Sequence, residues 1–274
     1  MSGPRPRVRT WRRTLRALAL SGRARVAHPG ADTVAPAADG TATGDALHLS
    51  PGPHAAALAL DRGPLAPPVL RRPRQGRLGD CWVMAPMLAV HETAPQRLRA
   101  LVGSEVDGVV PVQLPGLAEP LRVDRNLPVD EHGRFLYGRR DGANPGWVGV
   151  LEKAIAGHVA GGYGTLQRGF ARFGLEILLG ERVRTHLSLP SAALILRWRS
   201  EGRAICASTH PLSPRVGSAA GPLPPNHVVA VVGADATSGH VHLLNPVRPG
   251  EVLVLDARSF RRGFLSVDVS EPLT

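Results

Sequence analysis

The sequence predicts an α+β fold, with a helical part first and a β-rich part last. Three observations carry this reading. Apolar residues recur at helical spacing in "CWVMAPMLAVHETAPQRLRALV" and again in "NPGWVGVLEKAIAGHVAGGYG". Strand-like apolar runs gather near the C-terminus, in "NHVVAVVGAD", "HVHLLNPV" and "EVLVLDARSFRRGF". Glycine, proline and asparagine punctuate the boundaries between them. Helices followed by strands argue two unequal subdomains, and a cleft between them is a natural place for a site.

The elements follow in order. Residues 1–67 lack sustained periodicity and are rich in Ala, Gly, Pro and Arg, so they read as a disordered tail. A short basic amphipathic helix over residues 9–23 is expected within it, and a pro-segment or targeting arm is the sharper alternative. A helical subdomain spans 68–183. Its first helical run opens at Cys81 and contains Pro86, which lacks an N–H donor and predicts a distorted first turn or a kink. "GVVPVQLP" and "EPLRVDRNLPVDEHGRFLYG" alternate as short antiparallel strands. A second helix follows Pro145–Gly146 and ends in glycines. A β-rich subdomain spans 184–274. It begins with a third helix, "LPSAALILRWRSEGR", which flows into the strand "AICAST".

Composition excludes several classes. The net charge is +11, yet Lys153 is the only lysine and aromatics are 4%, so the arginines look like a coding bias and not a nucleic-acid platform. Cys81 and Cys206 make neither a disulfide framework nor a metal cluster, and Cys206 reads as a buried strand residue. His240 and His242 alternate along one strand without zinc-type partners and belong on the surface. Trp82, Trp147 and Trp198 fall on helical runs and read as core. No segment approaches the roughly 20 apolar residues of a membrane span. "WRRTLRALAL" is interrupted by Arg16 and too short for a secretory signal. A cytoplasmic protein without a cofactor is expected, with export by a route lacking a standard signal as the alternative.

Cys81 follows "RQGRLGD", and Asp80 is suited to cap the helix start. A thiol in a first helical turn meets unpaired N–H groups and the positive end of the helix dipole, which favour thiolate, while burial opposes it. Packing as a small hydrophobe is the commoner fate of a cysteine. A nucleophilic thiol needs a base. His227 opens the apolar strand "HVVAVVGA", and Asn245 ends the next run, where an amide carbonyl on an adjacent strand can fix the imidazole. The order Cys, His, Asn matters more than any one of them. His227 and Asn245 follow Cys81 by 146 and 164 residues, against the roughly 130–150 of papain-like enzymes. Gln75, six residues before Cys81, offers an amide donor for an oxyanion together with the Cys81 N–H.

"QGRLGDCWVMAPMLAV" resembles the nucleophile signature of the calpain-type cysteine peptidases, Q-G-x-L-G-D-C-W. "LRVDRNLPVDEHGRFLYGRRDGANPGWVGVLEKAIAGHVAGGYGTLQRGF" is similar to the family's strand, D-x-x-L-P turn, L-E-K-A helix and G-x-Y ending. "HVVAVVGAD" and "LLNPV" resemble its histidine strand and asparagine motif. The resemblance covers about residues 68–264, the catalytic core alone. It implies a papain-like cysteine peptidase fold, with Cys81 on a helical subdomain, His227 and Asn245 on a β-rich one, and a cleft for a polypeptide substrate. It implies Cys81 as nucleophile, His227 as base and acid, Asn245 as orienter and Gln75 as oxyanion donor.

Three departures stand out. The family's N-P-W-G reads "NPVR" here, so Val247 gives less cover to a His227–Asn245 bond. Where the animal enzymes carry a calcium-binding acid three positions before the glutamine, this chain has Arg72, which supplies no oxygen ligand. Glu152 matches the helix acid without that partner. A calcium-independent enzyme is expected. Two rival readings stay open: an amide transferase or deamidase using the same site, and a peptide-binding module without catalysis.

Overall fold

The computed structural model describes residues 46–218 and 221–273. The helix expected over residues 9–23 lies outside the described residues. In chain order the elements are β1 (Ala57–Leu60), β2 (Pro73–Arg74), α1 (Cys81–His91), α2 (Pro95–Leu101), β3 (Val109–Val112), β4 (Leu121–Asp124), β5 (Asn126–Val129) and β6 (Arg139–Arg140). There follow α3 (Trp147–Ala160), α4 (Ala171–Leu179), β7 (Arg184–His186), α5 (Ala192–Ser200) and β8 (Arg203–Thr209). Beyond a single 3-10 turn and the two-residue strands β9 (Gly217–Ser218) and β10 (Gly221–Pro222) lie β11 (Val228–Ala234), β12 (Val241–Asn245), β13 (Arg248–Leu255), α6 (Ala257–Gly263) and β14 (Phe264–Pro272).

The organising layer is a six-stranded antiparallel sheet in the order β13-β12-β11-β8-β14-β7. Side chains alternate across a strand, and β11 shows it. Val228 and Ala230 join the core formed by α1, α3 and α4, whereas Val229 and Val231 join a second core with Ile195, Trp198 and Phe260. Both faces of the sheet are therefore buried at β11. Cys206, opposite Ala230 in the ladder, is fully buried on the first face, as expected.

Helix α1 is buried on all sides from Trp82 to Val90, the signature of a central helix. It runs unbroken through Pro86. A helical proline leaves the carbonyl four residues before it without its usual donor, and here that carbonyl belongs to Trp82. Gly174 of α4 packs against it so closely that an added Cβ would lie 2.0 Å from the oxygen. Trp82 itself donates its Nε1–H to the Leu166 carbonyl at 2.7 Å. All three tryptophans read as core are buried.

Several elements differ from the sequence reading. Residues 46–67, assigned to the tail, belong to the fold: β1 pairs with β5, and Asp61 is fully buried. A buried carboxylate requires partners. Asp61 takes Arg125 Nη2 and the Gly146 N–H, each at 3.0 Å, and so serves the start of α3 from far away in sequence. Helix α4 was not anticipated. "EVLVLDARSFRRGF" is not one strand-like run: Asp256 stops β13 and caps α6, accepting the N–H groups of Arg258 at 2.8 Å and Ser259 at 2.9 Å. His240 and His242 are half-buried, short of the surface placement expected.

Candidate active site

Cys81 is the first residue of α1. The preceding Asp80 was expected to cap the helix and does not. Its φ of −106° and ψ of 30° leave the side chain without a cap hydrogen bond, and the carboxyl group is fully buried. Among the described residues only its own backbone N–H approaches the carboxyl group, and neither oxygen receives an N–H from another residue. Its partner is the Glu152 carboxyl. Two acceptors join only through a proton, so a bond between these carboxyls requires one of them to be protonated. Burial pushes Asp80 up to about 6 and pushes Glu152, beside the Asp80 charge, well above the usual carboxylate range. Both Glu152 oxygens also receive the Gly138 N–H, at 3.0 Å each.

The Cys81 thiol is pushed up by burial, with the Asp80 charge adding to the shift; the N–H groups of Val228, Trp82 and Cys81 oppose it and are outweighed. Around neutral pH the sulfur therefore carries its proton and needs a base to remove it. Neither Cys81 nor Cys206 is in a disulfide.

His227 sits immediately before β11, and Asn245 closes the adjacent antiparallel β12. Nε2 of His227 donates to Oδ1 of Asn245 at 2.9 Å. The same atom accepts the Val247 N–H at 3.0 Å. An atom that receives a backbone N–H is the amide oxygen and not its nitrogen. Nε2 must then carry the ring proton, which leaves Nδ1 bare. The backbone of His227 is clamped as well. Its N–H donates to Oγ1 of the buried Thr209 at 2.9 Å, and its carbonyl accepts the Thr209 N–H at 2.8 Å. Thr209 ends "AICAST", and nothing local in the sequence marks that role. Burial lowers the His227 pKa, partly offset by the Asn245 bond.

Gln75 is buried, and its backbone N–H donates to the Pro246 carbonyl at 2.8 Å. One side-chain hydrogen on Nε2 goes to the Leu78 carbonyl at 2.7 Å, which leaves a second for another acceptor. Contacts therefore join the Gln75–Cys81 loop to His227's neighbour Val228 and to Asn245's neighbour Pro246. Arg72 forks onto Glu92, with Nε–Oε1 at 2.9 Å and Nη2–Oε2 at 2.8 Å. The residues present do not fit a calcium ion. Arg72 brings a cation where an oxygen ligand is needed, and the Glu152 carboxyl is occupied by Gly138 and Asp80.

A protonated thiol at a helix start and an imidazole with one bare nitrogen, oriented by an amide oxygen, are the parts required for nucleophilic acyl transfer. The sequence pattern of the calpain family cysteine protease matches residues 72–246, more than half of the chain. The chain is also 25% identical over 189 residues to the calpain-type cysteine protease DEK1 of Arabidopsis thaliana. That similarity covers 63% of this chain and 9% of the relative, so the chain spans a small part of that protein's length. No helix among the described residues is long and apolar enough to cross a membrane.

Proposed function

The chain belongs to the calpain family of cysteine proteases, and we propose that it is a thiol endopeptidase that cleaves polypeptides without calcium. In this reading Cys81 is the nucleophile. As its sulfur bonds to the substrate carbonyl carbon, Nδ1 of His227 takes the thiol proton. The carbonyl oxygen becomes an oxyanion, held by the Cys81 N–H and the second hydrogen of Gln75 Nε2. Collapse of this intermediate breaks the C–N bond, and the proton on Nδ1 passes to the leaving amine. A water then attacks the thioester with Nδ1 as base, releasing the carboxylic acid and returning the proton to sulfur.

The observation that carries the proposal is the double use of Asn245 Oδ1 by His227 and Val247. It supports a single tautomer with the basic nitrogen free. Arg72 and the occupied Glu152 support the calcium-free part. The test is Cys81→Ala against a disordered polypeptide substrate, scored by new N-termini. Wild type generates them and the variant does not; equal cleavage by both would sink the assignment. Release of ammonia without new N-termini would point to a deamidase instead.

A further inference from the structure

We propose that Arg72 is a positioning residue, a guanidinium strut that locks the far end of the Cys81 helix to the strand that follows Asn245. The proposal rests on the peptidase reading above.

The geometry is threefold. Two nitrogens of Arg72 fork onto Glu92 at 2.9 and 2.8 Å, while its third, Nη1, donates to the Pro249 carbonyl at 3.0 Å. Glu92 is the C-terminal cap of α1, whose first residue is Cys81. Pro249 lies in β13 next to Arg248, and Arg248 is the register partner of Asn245. One planar group thus spans from the nucleophile's helix to the strand beside the imidazole's orienter. The Gln75 N–H to Pro246 carbonyl bond, at 2.8 Å, is a second tie, from the loop that leads into the helix to the residue after Asn245.

The Glu92 end is itself fixed. His91 Nδ1 contacts its Oε1 at 2.8 Å, and Arg199 of α5 donates to its backbone carbonyl at 3.0 Å. Burial raises the Glu92 carboxyl pKa, but the bonds from His91 and Arg72 outweigh it and hold the group at about 2, so the anion persists at any working pH. An 11-residue helix is a rod about 16 Å long. A tilt at one end displaces the sulfur at the other, and a misplacement of about 1 Å can lower a rate on the order of a hundredfold. Only a guanidinium supplies a carboxylate fork and a further donor from one rigid plane; an ammonium does not.

The experiment compares wild type, Arg72→Ala, Arg72→Lys and Glu92→Gln on one peptide substrate, with hydrogen exchange read on the segments around Gln75 and Asn245. Arg72→Ala should lose about tenfold to a hundredfold in kcat with KM within about twofold. Methylguanidine should restore part of that kcat, and Lys should not. Glu92→Gln, which keeps shape and drops charge, should fall in the same direction. Exchange at the Gln75 amide should rise in Arg72→Ala. Unchanged kcat in Arg72→Ala and Glu92→Gln, or a loss that methylguanidine cannot restore with exchange unaltered, would overturn the strut. A wild-type protein inert to peptide would instead overturn the peptidase reading, and the exchange comparison would still report on the strut.

Discussion

Nε2 of His227 and Oδ1 of Asn245 are 2.9 Å apart, and the Val247 N–H shares that oxygen at 3.0 Å. This bond sets the ring proton and also opposes the burial that lowers the His227 pKa. Three expectations follow for His227 as the proposed base, which must be neutral to work. The acid limb of kcat/KM in wild type should lie below the ordinary histidine value of 6.5. Asn245→Ala removes the opposing bond and should move it lower still, with kcat down about a hundredfold. Asn245→Asp places a carboxylate beside the imidazolium and should move the limb up. Limbs that stay put in both variants would detach Asn245 from His227.

The buried Asp80–Glu152 pair makes stability depend on pH. Each carboxyl binds its proton more tightly folded than unfolded, so stability is full below the ordinary 3.8 of Asp80 and is lost as pH rises through about 6. Glu152, raised further by burial and by Asp80, extends the decline upward. Asp268, raised to about 6 mainly by burial, adds in the same direction. Glu92, at about 2, has the opposite sign and acts only at far lower pH. His158, His186 and His227, lowered mainly by burial, oppose this decline below their ordinary 6.5, so the melting temperature should fall most clearly between pH 6.5 and pH 8, at up to about 1.4 kcal/mol per pH unit for each proton involved. Glu152→Gln removes one titrating group while keeping a donor for Asp80 and should flatten that slope. An equally steep slope in the variant would mean that the proton resides elsewhere.

How much of this was legible follows from how local each signal is. The helices at Cys81 and Trp147 announce themselves by apolar period and flanking glycines, and the structure adds that Ser191 caps α5 through the Leu194 N–H at 3.2 Å. Helix α6 had a local signal that the apolar run "EVLVL" masked, since Asp256 and Ser259 form the cap. The pairing of His227 with Asn245 was readable only as two neighbouring strands. Thr209, the Val247 N–H and the inward turn of Asp80 were not readable, because each depends on a partner that the fold brings from elsewhere. The place of β1 and Asp61 was hidden for the same reason: their partners, residues 126–129, Arg125 and Gly146, lie more than 60 residues away.

Gly174 is fixed by the proline in the Cys81 helix. An added Cβ would meet the Trp82 carbonyl at 2.0 Å and Pro86 Cγ at 2.7 Å, and α1, buried from Trp82 to Val90, can shift only at a cost in packing. Gly174→Ala should destabilise the protein by about 3 kcal/mol through overpacking. It should also slow alkylation of Cys81 by shifting the first turn. Thermal unfolding and iodoacetamide labelling check this, and a variant as stable as wild type would show that α4 is free to move.

The proposed calcium independence is open to a direct test. Arg72 is already bonded to Glu92 and to Pro249. Chelator should therefore leave kcat/KM unchanged, and added calcium should not raise it. The idea fails if chelator abolishes cleavage and calcium alone restores it.

Val247 is the position at which the site is most open to improvement. Its N–H is committed to Asn245, but its side chain is 39% exposed. It therefore does little to keep water from the His227–Asn245 bond, and a hydrogen bond strengthens as its surroundings dry. Val247→Trp keeps the backbone donor and adds a large apolar cover. A gain of about 1 kcal/mol, the size of one better-protected hydrogen bond, is about a fivefold rise in kcat/KM. The rise should vanish in the Asn245→Ala background, because the cover then has no bond to protect. A Trp variant no faster than wild type, or one equally accelerated without Asn245, would place the limit on catalysis elsewhere than in this bond.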